Sequence, residues 1–389
     1  AVKSLRALEH TDMKVIALYT EGDSDAPFVR HADRALDITK EDGAVAAYLD
    51  HDGLIHALRE CKADAVWPGW GFVAEDPVFV ERLREEGITF LGPTPEAMKA
   101  LGDKITSKEL AENAGVPVTA WSRGPLEGVE SARAHAETIG YPVIIKATAG
   151  GGGRGIRVVR AQEEMADAYT SAESEALSAF GNGTLFCEKL VTGGRHIEVQ
   201  IAADEHGHVL ALGCRDCSVQ RRHQKVLEEA PPPWLEAHLI ETLKEAATQM
   251  ARFVGYRGLG TVEFLLRGEE FFFLEVNPRL QVEHGVTEEV TGLDLVQLQI
   301  RIARGESLEG LEIRESGVAI EARVCAEDPD ANFLPSPGRI ARFDPALGPR
   351  IRIDSGVTEG TLVSPDFDSL IAKVIATGSN RAEARARLE

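Results

Sequence analysis

The chain has 389 residues, 43% apolar and 27% charged, proportions ordinary for a globular protein with room for two or three cores. Its formal net charge of −21 leaves no basic footprint for a nucleic acid or an anionic membrane, no apolar run approaches spanning length, and no basic, apolar leader opens it. Five widely spaced cysteines imply a reducing compartment, and only 12 lysines stand against 30 arginines, so each lysine inside a motif carries weight.

In chain order, residues 1–8 read as the middle of an amphipathic helix, and residues 381–389 stop inside another. The chain is therefore expected to be part of a longer polypeptide with a further first strand. Residues 13–19 form a strand, 52–61 a helix, 63–67 a strand entering the Pro68-Gly-Trp-Gly71 turn, and 76–86 a second helix. That βαβ rhythm predicts a parallel, Rossmann-like layer. Helices over 95–101 and 104–114 end at Gly115-Val-Pro117, and a small α/β unit spans 118–190. Beyond it lie antiparallel hairpins with helices near 235–254 and 291–303. Three domains are expected: 1–102, 103–190 and 191–389.

The densest pattern is Glu275-Val-Asn-Pro-Arg-Leu-Gln-Val-Glu-His284, in which Glu275, Asn277, Arg279, Gln281 and Glu283 alternate with apolar residues. If the segment is extended, a period of two puts all five on one face, a groove for a small anion beside a metal. The β-type runs 260–266 and 271–276 flank Arg267-Gly-Glu-Glu270, and a turn centred on Glu269 sets Glu263 opposite Glu275. Like charges facing each other across a strand pair repel unless a cation lies between them. Glu263, Glu275 and Asn277 offer the oxygen ligands that suit Mg²⁺ or Mn²⁺.

Gly150-Gly-Gly-Gly-Arg-Gly155 formally satisfies G-x-G-x-x-G, but Ile156-Arg-Val-Val159 after it is a strand, where a dinucleotide site needs a helix. The loop is instead a hairpin flap whose amides close over phosphates, with Lys146 beneath it. No P-loop motif occurs. Glu96-Ala-Met-Lys99 has the form of a biotin attachment motif, yet Lys99 sits among helix formers and is taken as an ordinary helical lysine. Cys214 and Cys217 lack a second pair and are taken as strand-embedded thiols. Gln220-Arg-Arg-His-Gln-Lys225, the one dense basic run, reads equally as a solvated cluster or as an ordered element neutralising phosphate or carboxylate oxygens.

Taken together these segments resemble one family along nearly the whole chain, the biotin carboxylases of the ATP-grasp superfamily. The resemblance runs through Pro68-Gly-Trp-Gly-Phe72, Gly102-Asp-Lys104, Gly140-Tyr-Pro-Val-Ile-Ile-Lys146 and Arg195-His-Ile-Glu-Val-Gln200. It continues through Arg215-Asp-Cys-Ser-Val-Gln-Arg-Arg-His-Gln-Lys225, Asn277-Pro-Arg-Leu-Gln-Val-Glu-His284, Glu321-Ala-Arg323 and Asp368-Ser-Leu-Ile-Ala-Lys373. It implies an α/β ATP-grasp fold, with an N-terminal Rossmann-like domain, a small α/β lid and a larger C-terminal α+β domain. By resemblance, Lys104 and Lys146 are ATP-phosphate ligands and Gly150, Gly151, Gly152 and Gly153 form the flap. Glu188, Lys189 and Leu190 are the adenine segment above an apolar floor at Leu265, and His196, Gln220 and His223 are nucleotide-side contacts. Glu263, Glu275 and Asn277 match the metal site. Arg279, Gln281 and the Val282 backbone match the bicarbonate pocket, Glu283 the general base, Arg323 the arginine facing biotin, and Lys225 a companion cation. Trp67 and Trp70 depart from the histidine and tyrosine of many members, and Ala149 replaces the first glycine of the flap.

The implied chemistry has two steps. Glu283 deprotonates bicarbonate, whose oxygen attacks the γ-phosphate of ATP to give carboxyphosphate; phosphate released from it then takes the proton of biotin N1′, and CO₂ adds there. Another ATP-grasp ligase would leave residues 220–225 unexplained, and a silent nucleotide-binding scaffold would not need Glu283, Arg279 and Lys225 together. A biotin carboxyl carrier domain and a carboxyltransferase must come from elsewhere, in an oligomeric holoenzyme located in the cytoplasm, or in the mitochondrial matrix of a eukaryote. Trp67 and Trp70 suggest an acyl-CoA carboxylase, with pyruvate and urea carboxylases as alternatives.

Overall fold

The structure, a computed structural model, describes Lys3, Ala7, Leu8, residues 11–149 and residues 155–389. The flap residues Gly150–Gly153 with Arg154, and most of the expected N-terminal helix, lie outside the described residues. In the N-terminal unit β1 (Ile16–Tyr19) pairs in parallel with β2 (Arg34–Asp37), and β3 (Ala65–Val66) with β4 (Thr89–Phe90). The expected parallel layer is thus two separate pairs rather than one sheet. Residues 63–67 yield only two strand positions, because Pro68 has no N–H to extend the ladder and Gly69 turns the chain at φ +71°. Helices α1 (His51–Cys61) and α2 (Pro77–Glu85) are capped by the Asp50 and Asp76 carboxylates. Their apolar faces close over Leu54, Leu58, Phe79 and Leu83.

Helices α3 (Pro95–Gly102) and α4 (Lys104–Asn113) follow. Ala97, Leu101 and Ala111 pack with Ile197, Val262 and Phe264, so these helices share the core of the large sheet. Lys99 is exposed on α3, as an ordinary helical lysine should be. The small unit is a three-stranded antiparallel sheet of β5 (Val143–Ala147), β6 (Ile156–Val159) and β7 (Leu185–Lys189), in the order β6-β5-β7. Helices α5 (Val129–Ile139) and α6 (Met165–Phe180) cover it, with Ala132, Ala136, Met165 and Ala172 in its core. β5 and β6 are successive antiparallel strands, on either side of the glycine run that lies outside the described residues. Gly155 leaves that loop at φ +68°, where a Cβ would stand 2.8 Å from the Cβ of Ala147.

The large sheet contains β8 (Arg195–Ala203), β9 (Val209–Arg221), β10 (Gln224–Ala230), β11 (Gly258–Arg267), β12 (Glu270–Asn277), β13 (Val318–Cys325), β14 (Ile351–Ser355) and β15 (Leu370–Gly378). Its order is β12-β11-β8-β9-β10-β13-β15-β14, antiparallel throughout. Helix α7 (Ala237–Phe253) packs on β8 and β9. The helix expected near 291–303 is α9 (Leu295–Ala303), which starts four residues late, because Gly292 at φ +71° closes a preceding helix, α8 (His284–Thr291), and Asp294 caps the second. A final helix, α10 (Arg381–Leu388), lies against β15 and β13. Among the described residues no helix is long and apolar enough to cross a membrane.

The β11–β12 hairpin sets Glu263 opposite Glu275 as expected, by a different route. Its turn is the two residues Gly268-Glu269, centred half a residue before Glu269, and that register alone would put Leu274 opposite Glu263. A bulge at Leu274 shifts the pairing by one, so Phe273 enters the core while Glu275, two residues on, still faces the cleft. The extended face expected through Glu283 is not formed: β12 ends at Asn277, because Pro278 cannot donate to a ladder, and residues 278–283 turn irregularly into α8.

The small unit is fastened to α4 by one buried ion cluster. Glu188 on β7 is paired with Lys146 on β5 and, at 2.6 Å, with Lys108 on α4, and Thr119 Oγ1 donates to it at 2.9 Å. Burial alone would favour the neutral acid, but Lys146 and Lys108 hold the Glu188 carboxyl at about 2. Replacing Lys108→Met removes one of its two cations. The variant is expected to lose about 2 kcal/mol, read as a lower urea midpoint at unchanged slope.

Candidate active site

The lip of the sheet that faces the small unit carries a run of ionic side chains built on strand alternation. On β8, His196, Glu198 and Gln200 point the same way, and Arg215 on β9, directly opposite Glu198, points back at them. Arg215 and Glu198 are both fully buried. The guanidinium grips Glu198 Oε2 through Nε at 3.1 Å and Nη2 at 3.0 Å, and donates to Gln200 at 2.7 Å, Thr287 at 3.0 Å, Thr261 at 3.0 Å and Gln281 at 3.1 Å. One arginine thus joins β8, β9, β11, the 278–283 segment and α8.

Above Glu198 lies Lys225, brought in by β10. Its ammonium pairs with Glu198, with Glu263 at 2.9 Å and with Glu283 at 2.7 Å. His196 Nε2 lies 3.1 Å from both Glu198 and Glu263. Burial pulls its imidazole down, but those two carboxylates outweigh it and hold the group up at about 10, so His196 is a cation here. Glu263 is also reached by Asn277 Nδ2 at 2.9 Å and Gln281 Nε2 at 3.1 Å. Burial raises Glu283, but Lys225, and Arg323 beyond it, hold it at about 2. Arg323 donates to Glu283 at 3.1 Å and through Nε to Glu228 at 2.7 Å.

The expected metal ligands Glu263, Glu275 and Asn277 therefore converge. Glu263 is already compensated by Lys225 and His196, while Glu275 is half-exposed, with Lys104 at 3.9 Å. Two carboxylates and an amide oxygen form a hard-donor set fitted to a divalent cation. Arg279 turns toward the N-terminal unit and pairs with Glu75 at 3.0 Å, with Asn277 Oδ1 at 3.3 Å. Val282 gives its carbonyl to Lys373, which also lies 3.4 Å from Glu321. Leu265 stands next to His196 in the ladder, and its side chain fills the space a Gly194 Cβ would need.

Other expected residues are placed elsewhere. Gln220 and His223 are exposed at the β9–β10 hairpin, whose turn residues Arg222 and His223 both have positive φ; Gln220 Nε2 donates only to the Cys217 carbonyl, at 2.9 Å. Lys189 Nζ ties back to the Gly140 and Tyr141 carbonyls at 2.8 and 3.0 Å, while the Leu190 amide donates to the Pro142 carbonyl. Trp67 donates to Gln299 at 3.0 Å within an apolar cluster, a packing role. Cys214 and Cys217 are buried strand thiols, as expected. Beside Lys225 and Arg323 opens a cleft of about 300 Å³ walled by Arg221, Val324, Cys325 and Phe333.

Sequence reasoning assigned no role to Glu198, Arg215, Glu228, Glu321, Lys108 or Glu75. The first could have been found: His196, Glu198 and Gln200 alternate on an otherwise apolar strand just as the 275–283 segment does. Lys108 and Glu75 meet partners on other units, and local sequence carries no signal for that.

A small lid sheet facing a large antiparallel sheet across an ionic cleft, behind a parallel N-terminal unit, defines an ATP-grasp ligase. The family models agree: "Biotin carboxylase, N-terminal domain" matches residues 1–98, "Carbamoyl-phosphate synthase L chain, ATP binding domain" residues 103–311, and "Biotin carboxylase C-terminal domain" residues 321–389. The chain is 47% identical to a biotin carboxylase of Nostoc sp. over all of its own length and 88% of that protein. It is 44% identical to a pyruvate carboxylase subunit of Methanothermobacter thermautotrophicus, covering 79% of it. It is 42% identical to a biotin-dependent acyl-coenzyme A carboxylase alpha3 subunit of Mycobacterium leprae, covering 65%. The biotin carboxylase domain dimer of a Hydrogenobacter thermophilus 2-oxoglutarate carboxylase, in complex with MgADP, ADP and bicarbonate, superposes with a TM-score of 0.96 at 41% identity over the whole chain and 86% of that domain. The chain belongs to the biotin carboxylase family, and its reaction is the ATP-dependent half-reaction of that family.

Arg215→Lys keeps the charge but cannot serve five acceptors from one ammonium. It is expected to lower stability by about 3 kcal/mol, seen as a fall in the midpoint of chemical denaturation.

Proposed function

We propose that this chain carboxylates the biotin of a carrier domain, with ATP and bicarbonate as co-substrates, and that Lys225 joins the two halves of the site. The observation that carries this reading is that one ammonium touches Glu283, the proposed base, and Glu263, on the proposed metal side. In this reading Lys104 and Lys146 take the phosphates, with Gly150–Gly153 closing over them. Glu188, Lys189 and Leu190 border the adenine over Leu265. Arg279, Gln281 and the Val282 amide hold bicarbonate. A divalent cation held by Glu263, Glu275 and Asn277 would offset phosphate charge when bound. The nucleotide, Mg²⁺ and bicarbonate of the 2-oxoglutarate carboxylase domain support these ligands.

At about 2, Glu283 is a poor base while both cations hold it. Phosphate and bicarbonate entering the cleft compete for Lys225, and the carboxylate gains basicity as that partner is shared. Glu283 then takes the bicarbonate proton, and the bicarbonate oxygen displaces ADP from the γ-phosphorus, giving carboxyphosphate. Its breakdown leaves CO₂ and a phosphate that accepts the N1′ proton of biotin. Arg323 faces the ureido oxygen, where negative charge grows, and CO₂ bonds to N1′.

The acceptor of the second half-reaction is read outside this chain. Relatives from pyruvate, 2-oxoglutarate and acyl-CoA carboxylases match it about equally. Trp67, which prompted the acyl-CoA expectation, is a packing residue here, so the wider family of acceptors is the better reading. A biotin carrier and a carboxyltransferase complete the cycle, in the same polypeptide or as separate chains.

Glu283→Gln is expected to bind ATP with near-normal affinity and to lose bicarbonate-dependent ADP release by at least about 100-fold. Near-normal turnover in that variant removes Glu283 from the mechanism. Arg323→Ala is expected to spare ADP release without biotin while abolishing its stimulation by free biotin. Equal losses in the two assays would place Arg323 at the phosphates instead.

A further inference from the structure

Behind Arg323 lies a pair of acids to which the reaction scheme gives no work. Glu228 on β10 and Glu321 on β13 are direct partners across the antiparallel ladder, and both are fully buried. Directly opposed residues have Cβ atoms about 5 Å apart, so two carboxyl groups on one face can touch. Three of their four oxygens, Glu228 Oε2 and both oxygens of Glu321, have no hydrogen-bond partner among the described residues. The fourth, Glu228 Oε1, accepts from Arg323. Two buried carboxylates in this position, both charged and mostly unbonded, would be very costly; a proton between them supplies the missing bond and removes one charge.

The surroundings agree. Arg323 lies two residues along β13 from Glu321, on the same face, and pairs in the ladder with Lys373 of β15. Lys373 reaches Glu321 Oε2 at 3.4 Å, and Asp354 of β14 at 3.8 Å. From the other side come Glu283 and the buried, neutral-favoured His284, and from β9 the buried Cys217 thiol. Helix α8 can close over the pair only because residue 285 is glycine: a Cβ there would meet Ile375 and lie 3.1 Å from Glu321 Oε2. Arg323 thus has one charged partner on the substrate side, Glu283, and one behind it, Glu228.

We propose that Glu228 and Glu321 share a single proton across the β10–β13 ladder, and that this proton limits how strongly Arg323 is drawn back from the biotin side, making the two acids a positioning pair for biotin carboxylation. Glu228 is pushed up to about 8 by burial and by Glu321, against Arg323; burial, with Glu283, pushes Glu321 up to about 7, against Lys373. The pair therefore holds one proton near neutrality. When that proton leaves above pH 8, a second negative charge appears behind Arg323 and retracts it.

The coupling to biotin rests on the reading of Arg323 above; the shared proton does not. The test has two arms on the full chain. Infrared difference spectra across pH 6 to 10 are expected to show a protonated carboxyl band in the wild type that bleaches near pH 8 and is lost or moved in Glu321→Gln and in Glu228→Gln. With free biotin as the probe, wild-type kcat/KM is expected to fall about fivefold from pH 8 to pH 9. Glu321→Gln cannot carry the second charge and should stay flat over that range, while ADP release without biotin keeps its wild-type pH profile. A merely structural role would change amplitude or stability and leave the limb in place. Absence of the band, or its persistence in both variants, overturns the shared proton. A band that is lost while the biotin limb stays unchanged overturns the link to Arg323. If no form responds to biotin at any pH, it is the reading of Arg323 that fails, and the infrared arm still decides the proton.

Discussion

The site depends on a carboxylate that must be both charged and buried. Glu198 sits at the floor of the cleft with Arg215 beneath it and Lys225 and His196 above it. Removed from water, none of these groups could keep its charge alone. Three carboxylates, Glu198, Glu263 and Glu283, face three cations, Arg215, Lys225 and His196, so the centre is neutral before any substrate arrives. A triphosphate and a bicarbonate then enter with charge the centre cannot offset. On the proposed reading, extra cations stand at the margins, in Lys104 at the head of α4, in Lys146 on the lid, and in a metal that Glu263, Glu275 and Asn277 would hold.

That arrangement also explains where the structure spends rigidity. Arg215 is fixed by six contacts on four other elements, so the floor is held independently of the ligands. The cations proposed to meet substrate are held by carboxylates that would compete with it: Lys146 by Glu188, Arg279 by Glu75, Lys225 by three acids at once, and Arg323 by two. Each is an exchangeable partner. On that reading, binding replaces one set of anions with another around the same side-chain cations, so little side-chain charge has to be desolvated afresh.

Most of the architecture was legible because it is written in local periodicity. The alternation of strand and helix and the antiparallel strands on either side of the glycine run follow from spacing and turn chemistry, whereas the expected facing of Glu263 and Glu275 is set by a bulge. The failures share a cause. The period-two reading of 275–283 ignored the veto of Pro278, and the expected turn at Glu269 missed a bulge that lies five residues from it. The helix near 291–303 was started too early, and the helix before it was missed, because Gly292 was not weighed as a cap. Arg215 was read only as a member of a motif and Glu228 was given no role, since what gives them meaning is convergence of segments far apart in the chain. Gln220 and His223 show the converse: a motif can be recognised while its side chains stand in solvent.

One buried amide has a consequence for how the chain is made. Gln299 on α9 accepts from the Trp67 indole and donates, at 2.6 Å, to the Leu91 carbonyl, partners 232 and 208 residues earlier. Around it Ala7 and Leu91 share one apolar cluster with Leu259, Leu280, Leu295 and Leu298. During synthesis the N-terminal unit leaves the ribosome long before α9 exists, so one wall of it must wait exposed, its indole N–H hydrogen-bonded to water. Closure comes only once α9 itself has been translated. The same late contact that seals this core stands beside the Arg279–Glu75 pair, which brings the 278–283 segment to the N-terminal unit, so the two joints of that unit form after most of the site's strands have been made.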